Sequence, residues 1–373
     1  MWIWSQDGRY EEIPASDPRP HTQRVVIWYH DESTFYANDC QKRCWQHHDE
    51  KGIPCPKGEG PSAMYIYFVS ADYGWLESPD GKETAKAIFK AGKNCDGYFT
   101  NQEILAHVKK AMDILDKYYP HDKYVFVFDN VTTHKKRLPT APSATRMPKG
   151  PSANFWSKVN ILNEEEKAKL GPDGKQIQVN VQMGPRQFAD GSPQQFYNEA
   201  RLFKGTAQIL KERGLINESK LNLTCNKDRG CHGMACCQRR VLYHQPDFAD
   251  QTSALEAECG KHGYAVIFLP NFHCELNPIE PCWGHAKRVY YEYPLAQATN
   301  DLTIIKALEK NMEAAIKTVT VENIWKYACR AHRFLDAYHK GLSGKQAAWA
   351  LRKYWGHQIL PNSIMSDLSK AGL

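Results

Sequence analysis

Four short apolar runs decide what this chain can become. Arg24–Tyr29 (RVVIWY), Met64–Val69 (MYIYFV), Tyr124–Phe128 (YVFVF) and Ala265–Leu269 (AVIFL) are rich in β-branched and aromatic side chains and nearly continuous rather than alternating. Runs this short and this uniformly apolar suit interior strands buried on both faces, not amphipathic helices. The first stops at His30 and Asp31, and the third ends on Asp129, followed by Asn130 and His134. Two interior strands thus each deliver an aspartate at the carboxyl end. In an α/β sheet that edge is where sites form.

Helical signals lie between and after these runs. Thr100 and Glu103 spell a capping box, and Ile104, Leu105, Val108, Met112 and Leu115 follow on one face until Pro120. Residues 33–39 and 43–49 read as two further short strands or a hairpin. Residues 135–191, rich in Lys, Pro, Gly and Asn, read as a surface excursion. Phe196, Ala200, Phe203, Ala207 and Leu210 are in helical register and predict one long helix over Ser192–Arg213, closed by Gly214. Ser253 with Glu256 caps a short helix leading to Gly263. Beyond Leu295 the periodicity predicts three helices, over residues 301–317, 320–339 and 343–356.

The last apolar run leads into the most informative stretch. Asn277 and Pro278 form a helix start, with Asn as cap and Pro at the first position, where its missing N–H costs nothing. Glu280 then falls in the first turn, with Trp283, Gly284 and Lys287 following on the same face. Pro281 moves the expected start later by about one residue. Asp31, Asp129 and Glu280 make a three-carboxylate set. Such acids raise one another's pKa when close, and one or two Mg²⁺ or Mn²⁺ ions offset that charge. A lone aspartate at a strand end is ordinarily a turn residue; three acids in this order at element boundaries are not ordinary. Glu275, five residues before Glu280, is the weaker candidate. Glu32 reads as a hydrogen-bonded or solvated neighbour on the opposite face of a continuing strand.

The blocks HDESTFYAND (30–39), VFVFDNVTTH (125–134) and FLPNFHCELNPIEPCWGHAKR (268–288) resemble the three catalytic blocks of DDE transposases of the mariner superfamily, most of all the fungal DDE-superfamily endonuclease group. The ending FLDAYHKGLSGKQAAWALRKYWGH (334–357) resembles that group as well. The resemblance implies an α/β, RNase H-like fold: a five-stranded mixed sheet with the first Asp on strand one, the second on strand four and the third acid on the helix after strand five. It implies Asp31, Asp129 and Glu280 as ligands of two Mg²⁺ or Mn²⁺ ions, with DNA (transposon ends and target) as substrate, a homodimer when active, and a nuclear location. Asn130, His134 and Trp283 would form the edge of that site.

Domain expectations follow: an extended lead-in (1–23), a first core part (24–135), an insertion (136–262), the last core strand and catalytic helix (263–295) and a C-terminal helical region (296–373). The 150 residues between Asp129 and Glu280 (130–279) far exceed the gap in compact mariner relatives. Nothing in residues 1–23 resembles the DNA-reading helix-turn-helix of the family. The rival readings are therefore a domesticated or truncated transposase-derived scaffold without turnover, and a stand-alone nuclease acting on hybrids.

Composition excludes other classes. With 42% hydrophobic and 24% charged residues the 373-residue chain is globular, and no apolar run approaches the roughly 20 residues of a membrane span. Twelve cysteines without a secretory signal favour reduced thiols or metal ligands over a disulfide framework. Cys225, Cys231, Cys236 and Cys237 are a candidate zinc set, with His232, His244, Cys259 and His262 as further donors, although the paired C-x2-C spacing of zinc knuckles is missing. Cys40, Cys44, Cys55, His47 and His48 form a weaker group. A net charge of +6 is compatible with nucleic acid, and Lys135, Lys136, Arg137, Arg239, Arg240, Lys287 and Arg288 are the cations nearest the expected site loops.

Overall fold

The structure is a computed structural model that describes residues 2–4, 10–12, 24–39, 57–90, 99–161, 163, 169, 171–172, 176–188, 190–225, 233–293, 301–356 and 359–373. The expected strand at 43–49 and the donors Cys40, Cys44, Cys55, His47, His48, Cys231 and His232 lie outside the described residues, as does most of the lead-in. The chain divides into two compact units, one of residues 1–134 with 258–373 and one of residues 135–257.

The first unit is α/β. Among its described residues a six-stranded mixed sheet contains β1 (Val25–Tyr36), β2 (Ser62–Ser70), β3 (Gly74–Trp75), β4 (Ala87–Phe89), β5 (Lys123–Phe128) and β6 (Ala265–Phe268). Its order is β6-β5-β1-β2-β3, with β4 also on β2. β1 is antiparallel to β2 and parallel to β5, which is parallel to β6. Helices flank the sheet: α1 (Asn101–Tyr118), α2 (Ile279–Tyr290), α3 (Asp301–Lys317), α4 (Val321–His339), α5 (Gly344–Lys353) and α6 (Ile364–Lys370). The architecture is compatible with the RNase H-like fold expected, but the sheet has six strands among the described residues rather than five, because the short β3 and β4 both pair with β2. Asp129 therefore follows the fifth strand rather than the fourth, and the helix of Glu280 follows the sixth. No helix among the described residues is long and apolar enough to cross a membrane.

The two faces of β1 differ in kind. On one, Trp28 and His30 join Phe68, Phe126 and Phe128 and meet α1, whose buried stripe includes Ile104, His107, Val108 and Leu115. On the other, Tyr29 and Phe35 join Tyr65, Tyr67 and Val69 in a large core with Ile279 and Trp283 of α2 and residues of α3 to α6. Strand alternation makes this sorting automatic: Asp31 belongs to the α2 side, His30 and Glu32 to the α1 side. The Thr100 capping box of α1 is present as expected.

Three strand expectations need correction. β1 does not stop at Asp31 but runs on to Tyr36, because β2 pairs with it from Tyr29 through Tyr36 while β5 pairs only from Val25 to Tyr29. Residues 33–36 therefore continue the first strand rather than form another. Among the described residues β6 is an edge strand, not an interior one: it pairs there with β5 alone, and its Ile267 is 51% exposed.

The second unit has its own core and is no surface excursion. Ala144, Met147, Met183, Phe196, Phe203, Leu210, Leu242 and Phe248 are buried together, beside an antiparallel pair of strands, Ser157–Asn160 and Gln178–Val181. The long helix expected over Ser192–Arg213 shrinks to Thr206–Glu212. Pro193 lies in a short strand, and Phe203 bridges to Ser152 and Tyr197. Gly205 has φ +90°, and a Cβ there would sit 2.5 Å from the Gly150 carbonyl carbon, so the backbone crosses too closely for a helix to pass through. The helical spacing of Phe196, Phe203 and Leu210 is real burial produced by other geometry. At the C-terminus the three expected helices are joined by a fourth, α6.

Candidate metal centre

The sheet register brings the two aspartates side by side. The last rung between β1 and β5 pairs Tyr29 with Val127; two residues further on, with the same facing, come Asp31 and Asp129. Asp31 stays within β1 and is 8% exposed, whereas Asp129 is the first residue past β5 and is half-buried. Glu280 comes from the first turn of α2, which lies on that same side of the sheet. Carboxylate oxygens of Asp31, Asp129 and Glu280 all lie within 4.8 Å of one another.

The entry to α2 is built to hold this arrangement. Pro278 is the N-cap residue and Ile279 the first helical one, so Pro281 falls third, where no intrahelical N–H bond is forfeited. Asn277 is fully buried and does more than start a helix. Its side-chain oxygen accepts from the Ile279 N–H at 3.4 Å, and its Nδ2 donates to the His30 carbonyl at 3.2 Å and to Asp129 Oδ1 at 3.4 Å. One amide thereby links β1, the end of β5 and the helix carrying Glu280. The sequence marks Asn277 only as a cap; its links to β1 and Asp129 depend on contacts far away in the chain.

Electrostatics set these acids apart. Burial, and then the charges of Glu280, Glu32 and Asp129, push the Asp31 carboxyl well above the usual range. Glu280 is raised by burial and by Asp129. Glu275 behaves differently: burial works against it, but hydrogen bonds from Tyr338 (2.6 Å) and His273 (2.7 Å) hold it below its ordinary value. Glu275 is thus an anchored structural carboxylate, and Glu280 is the acid facing the aspartates.

Glu32 is raised to about 7, by burial first and then by Asp129. A carboxyl raised in the fold contributes stability below its unfolded value and loses it as pH rises through about 7. Glu32→Gln is therefore expected to stabilise the protein in chelator at pH 8 by up to about 3 kcal/mol, at about 1.4 kcal/mol per unit, and to have little effect near pH 4. The buried His30, His107 and His134 have the opposite sign: their pKa values are lowered by burial, and their contribution is lost as pH falls below about 6.5. Paired melts of variant and parent across pH isolate the Glu32 contribution; a constant difference refutes it.

The remaining expected site residues are distributed as follows. Asn130 is half-buried beside Asp129. His134 is buried and hydrogen-bonds through Nδ1 to the Asp129 carbonyl at 2.9 Å. Trp283 is not at an edge: it is 2% exposed, packed against Phe35 and Trp75. Lys287 lies over the Phe35 ring and draws the Glu280 pKa down, and Arg288 is exposed. In the second unit, Lys135 and Lys136 are exposed, Arg137 is half-buried, Arg239 donates to the Met147 carbonyl and Arg240 lies over Tyr243. Also there, the sulfurs of Cys225, Cys236 and Cys237 lie within 4.8 Å of one another.

No protein-family model matches the chain, and no curated protein matches it. Among solved structures, a chain of the crystal structure of the Mos1 Strand Transfer Complex matches at 15% identity with a TM-score of 0.22, covering 31% of this chain and 30% of its own. A likeness of that extent carries no weight for fold or chemistry. Both rest on the strand order and side-chain geometry above.

Proposed function

We propose that this chain is a metal-dependent DNA endonuclease and strand transferase of the DDE type, with Asp31, Asp129 and Glu280 as its metal-binding acids. The observation that carries the reading is the convergence of these three carboxylates from segments far apart in the chain. The donor set is all oxygen, partly buried and self-repelling, which suits hard divalent ions such as Mg²⁺ or Mn²⁺. Asp31 and Asp129 would share the ions, and Glu280 would complete the coordination of one. When bound, two such ions supply an activated water or 3′-hydroxyl and neutralise charge on the scissile phosphate.

The chain's own residues provide the positioning. Asp31 is fixed by ladder pairing with β2, Asp129 by Asn277, and Glu280 by a helix whose Ile279 and Trp283 are buried in the core. No side-chain nucleophile is needed. Lys287 and Arg288 of the first unit, with Lys135, Lys136, Arg137, Arg239 and Arg240 of the second, are the cations we assign to DNA phosphates. The active form is a homodimer acting in the nucleus, since transfer of two transposon ends requires two catalytic units. Zinc at the cysteine patch of the second unit belongs to the same proposal.

The test is cleavage of duplex and supercoiled DNA by the purified chain with Mg²⁺ or Mn²⁺. Nicking that appears with either ion and vanishes in chelator is the expected result. A folded protein that binds the ions but leaves DNA intact would make it a scaffold, and preferential cutting of RNA–DNA hybrids would make it a different nuclease.

A further inference from the structure

Opposite the three carboxylates, on the α1 side of β1, lies a second cluster of a different chemical character. We propose that His30, Glu32 and His134 form a buried site for one divalent first-row transition ion, zinc foremost, that ties the turn after Asp129 to β1. One imidazole nitrogen from each histidine and a Glu32 oxygen lie within 4.8 Å of one another. His30 and His134 are 0% and 1% exposed. His30 Nδ1, Glu32 Oε2 and His134 Nε2 are all buried without a hydrogen-bond partner. Buried polar atoms are nearly always satisfied, so three orphans in one place need a common explanation.

The tautomers supply it. His134 Nδ1 faces the Asp129 carbonyl at 2.9 Å and must donate to it, which leaves the lone pair on Nε2. His107 Nε2 faces the Ala85 carbonyl and must donate there, so His107 Nδ1 is an acceptor. His30 Nε2, 3.3 Å from that acceptor, is then the donor, and the His30 lone pair lies on Nδ1. Both orphan nitrogens therefore carry lone pairs. Neither can donate to Glu32, neither can be satisfied by the other, and a protonated Glu32 has a single O–H that could serve only one of them. A cation satisfies all three atoms at once, and a metal-bound imidazole whose other N–H is held by a carbonyl or a further acceptor is the usual arrangement.

Ligand chemistry selects the ion. Two imidazoles and a carboxylate suit zinc, iron and their neighbours, whereas the all-oxygen set across the strand suits magnesium or manganese. Bonds of roughly 2.0–2.2 Å bring neighbouring donors to about 3–3.5 Å, so the cluster closes by side-chain movements on the order of 1 Å. Phe68 and Phe128 pack against His30 and help to wall the site from water. Because His30 and Glu32 flank Asp31 and His134 is bonded to Asp129, an ion here fixes the spacing of the two aspartates from behind. The site does not depend on what those aspartates do.

The experiment is Co²⁺ titration of the chelator-stripped full-length chain in excess Mg²⁺, read by visible d–d absorption. Thiolate charge-transfer bands in the near ultraviolet report the cysteine patch separately. One equivalent of Co²⁺ without thiolate bands is expected, displaced by Zn²⁺. It is retained in an Asp31→Asn/Asp129→Asn variant and weakened at least a hundredfold by Glu32→Gln, a near-isosteric change that keeps the fold, with His134→Ala as a second variant. Absence of this cobalt, cobalt with thiolate bands only, or undiminished binding in Glu32→Gln each overturns the proposal.

Discussion

Replacing Asp129 by asparagine is expected to lower Mg²⁺-dependent DNA cleavage by at least a thousandfold while leaving the protein folded. The amide keeps the size of the carboxylate and can still accept the long bond from Asn277 Nδ2, but under the proposed function it removes a negative ligand that both ions would share. A thousandfold corresponds to about 4 kcal/mol of lost transition-state stabilisation, a modest demand on a group that would hold the charge-neutralising ions. In chelator the variant should melt no lower than the parent, since one of the charges that oppose ionisation of Asp31 is gone. Cleavage that survives the change, in a preparation free of contaminating nuclease, removes Asp129 from the site. Loss of the Mg²⁺-induced rise in melting temperature is the independent readout.

The second large effect is structural. Trp283→Ala should cost about 3–5 kcal/mol, as expected for emptying a buried aromatic site. Trp283 stands between Phe35 of β1 and Trp75 of β3, with centroid distances of 6.4 and 5.5 Å. It is three residues after Glu280 on the same helix, so a cavity there loosens the support of the third acid as well. The expected outcome is a lowered melting midpoint together with weaker Mg²⁺ binding, with Trp283→Phe milder in both. If the residue instead served at the edge of the site, DNA affinity would fall with little change in the midpoint. Denaturant unfolding and metal titration on the same preparations separate the two.

The sequence made the strands and the three acids legible for a definable reason. Uniform apolar runs announce sheet interiors, and acids that interrupt them stand out. The same contrast concealed the length of β1: Asp31, Glu32, Ser33 and Thr34 look like the end of a strand because their polarity breaks the run. What extends the strand is ladder pairing with β2, a non-local contact that no local pattern reports. His107 shows the same limit, since in sequence it is one member of an amphipathic stripe and only the fold sets it against His30. The false helix at Ser192–Arg213 is the converse case. There a helical spacing arose by coincidence, and backbone sterics at Gly205 overruled it.

The division of labour across β1 makes residue count along this strand a matter of function. An insertion or deletion of one residue before Asp31 would exchange the faces, turning the aspartate toward α1 and the histidine toward α2, and so would dismantle both clusters together. Two residues would restore the facing but slide every group by about 7 Å along the sheet, beyond reach of Asp129 and Glu280. Away from His30, Asp31 and Glu32, substitutions of like character can drift along β1, but changes of length cannot, and natural variation in chain length should be confined to the connections on either side of it.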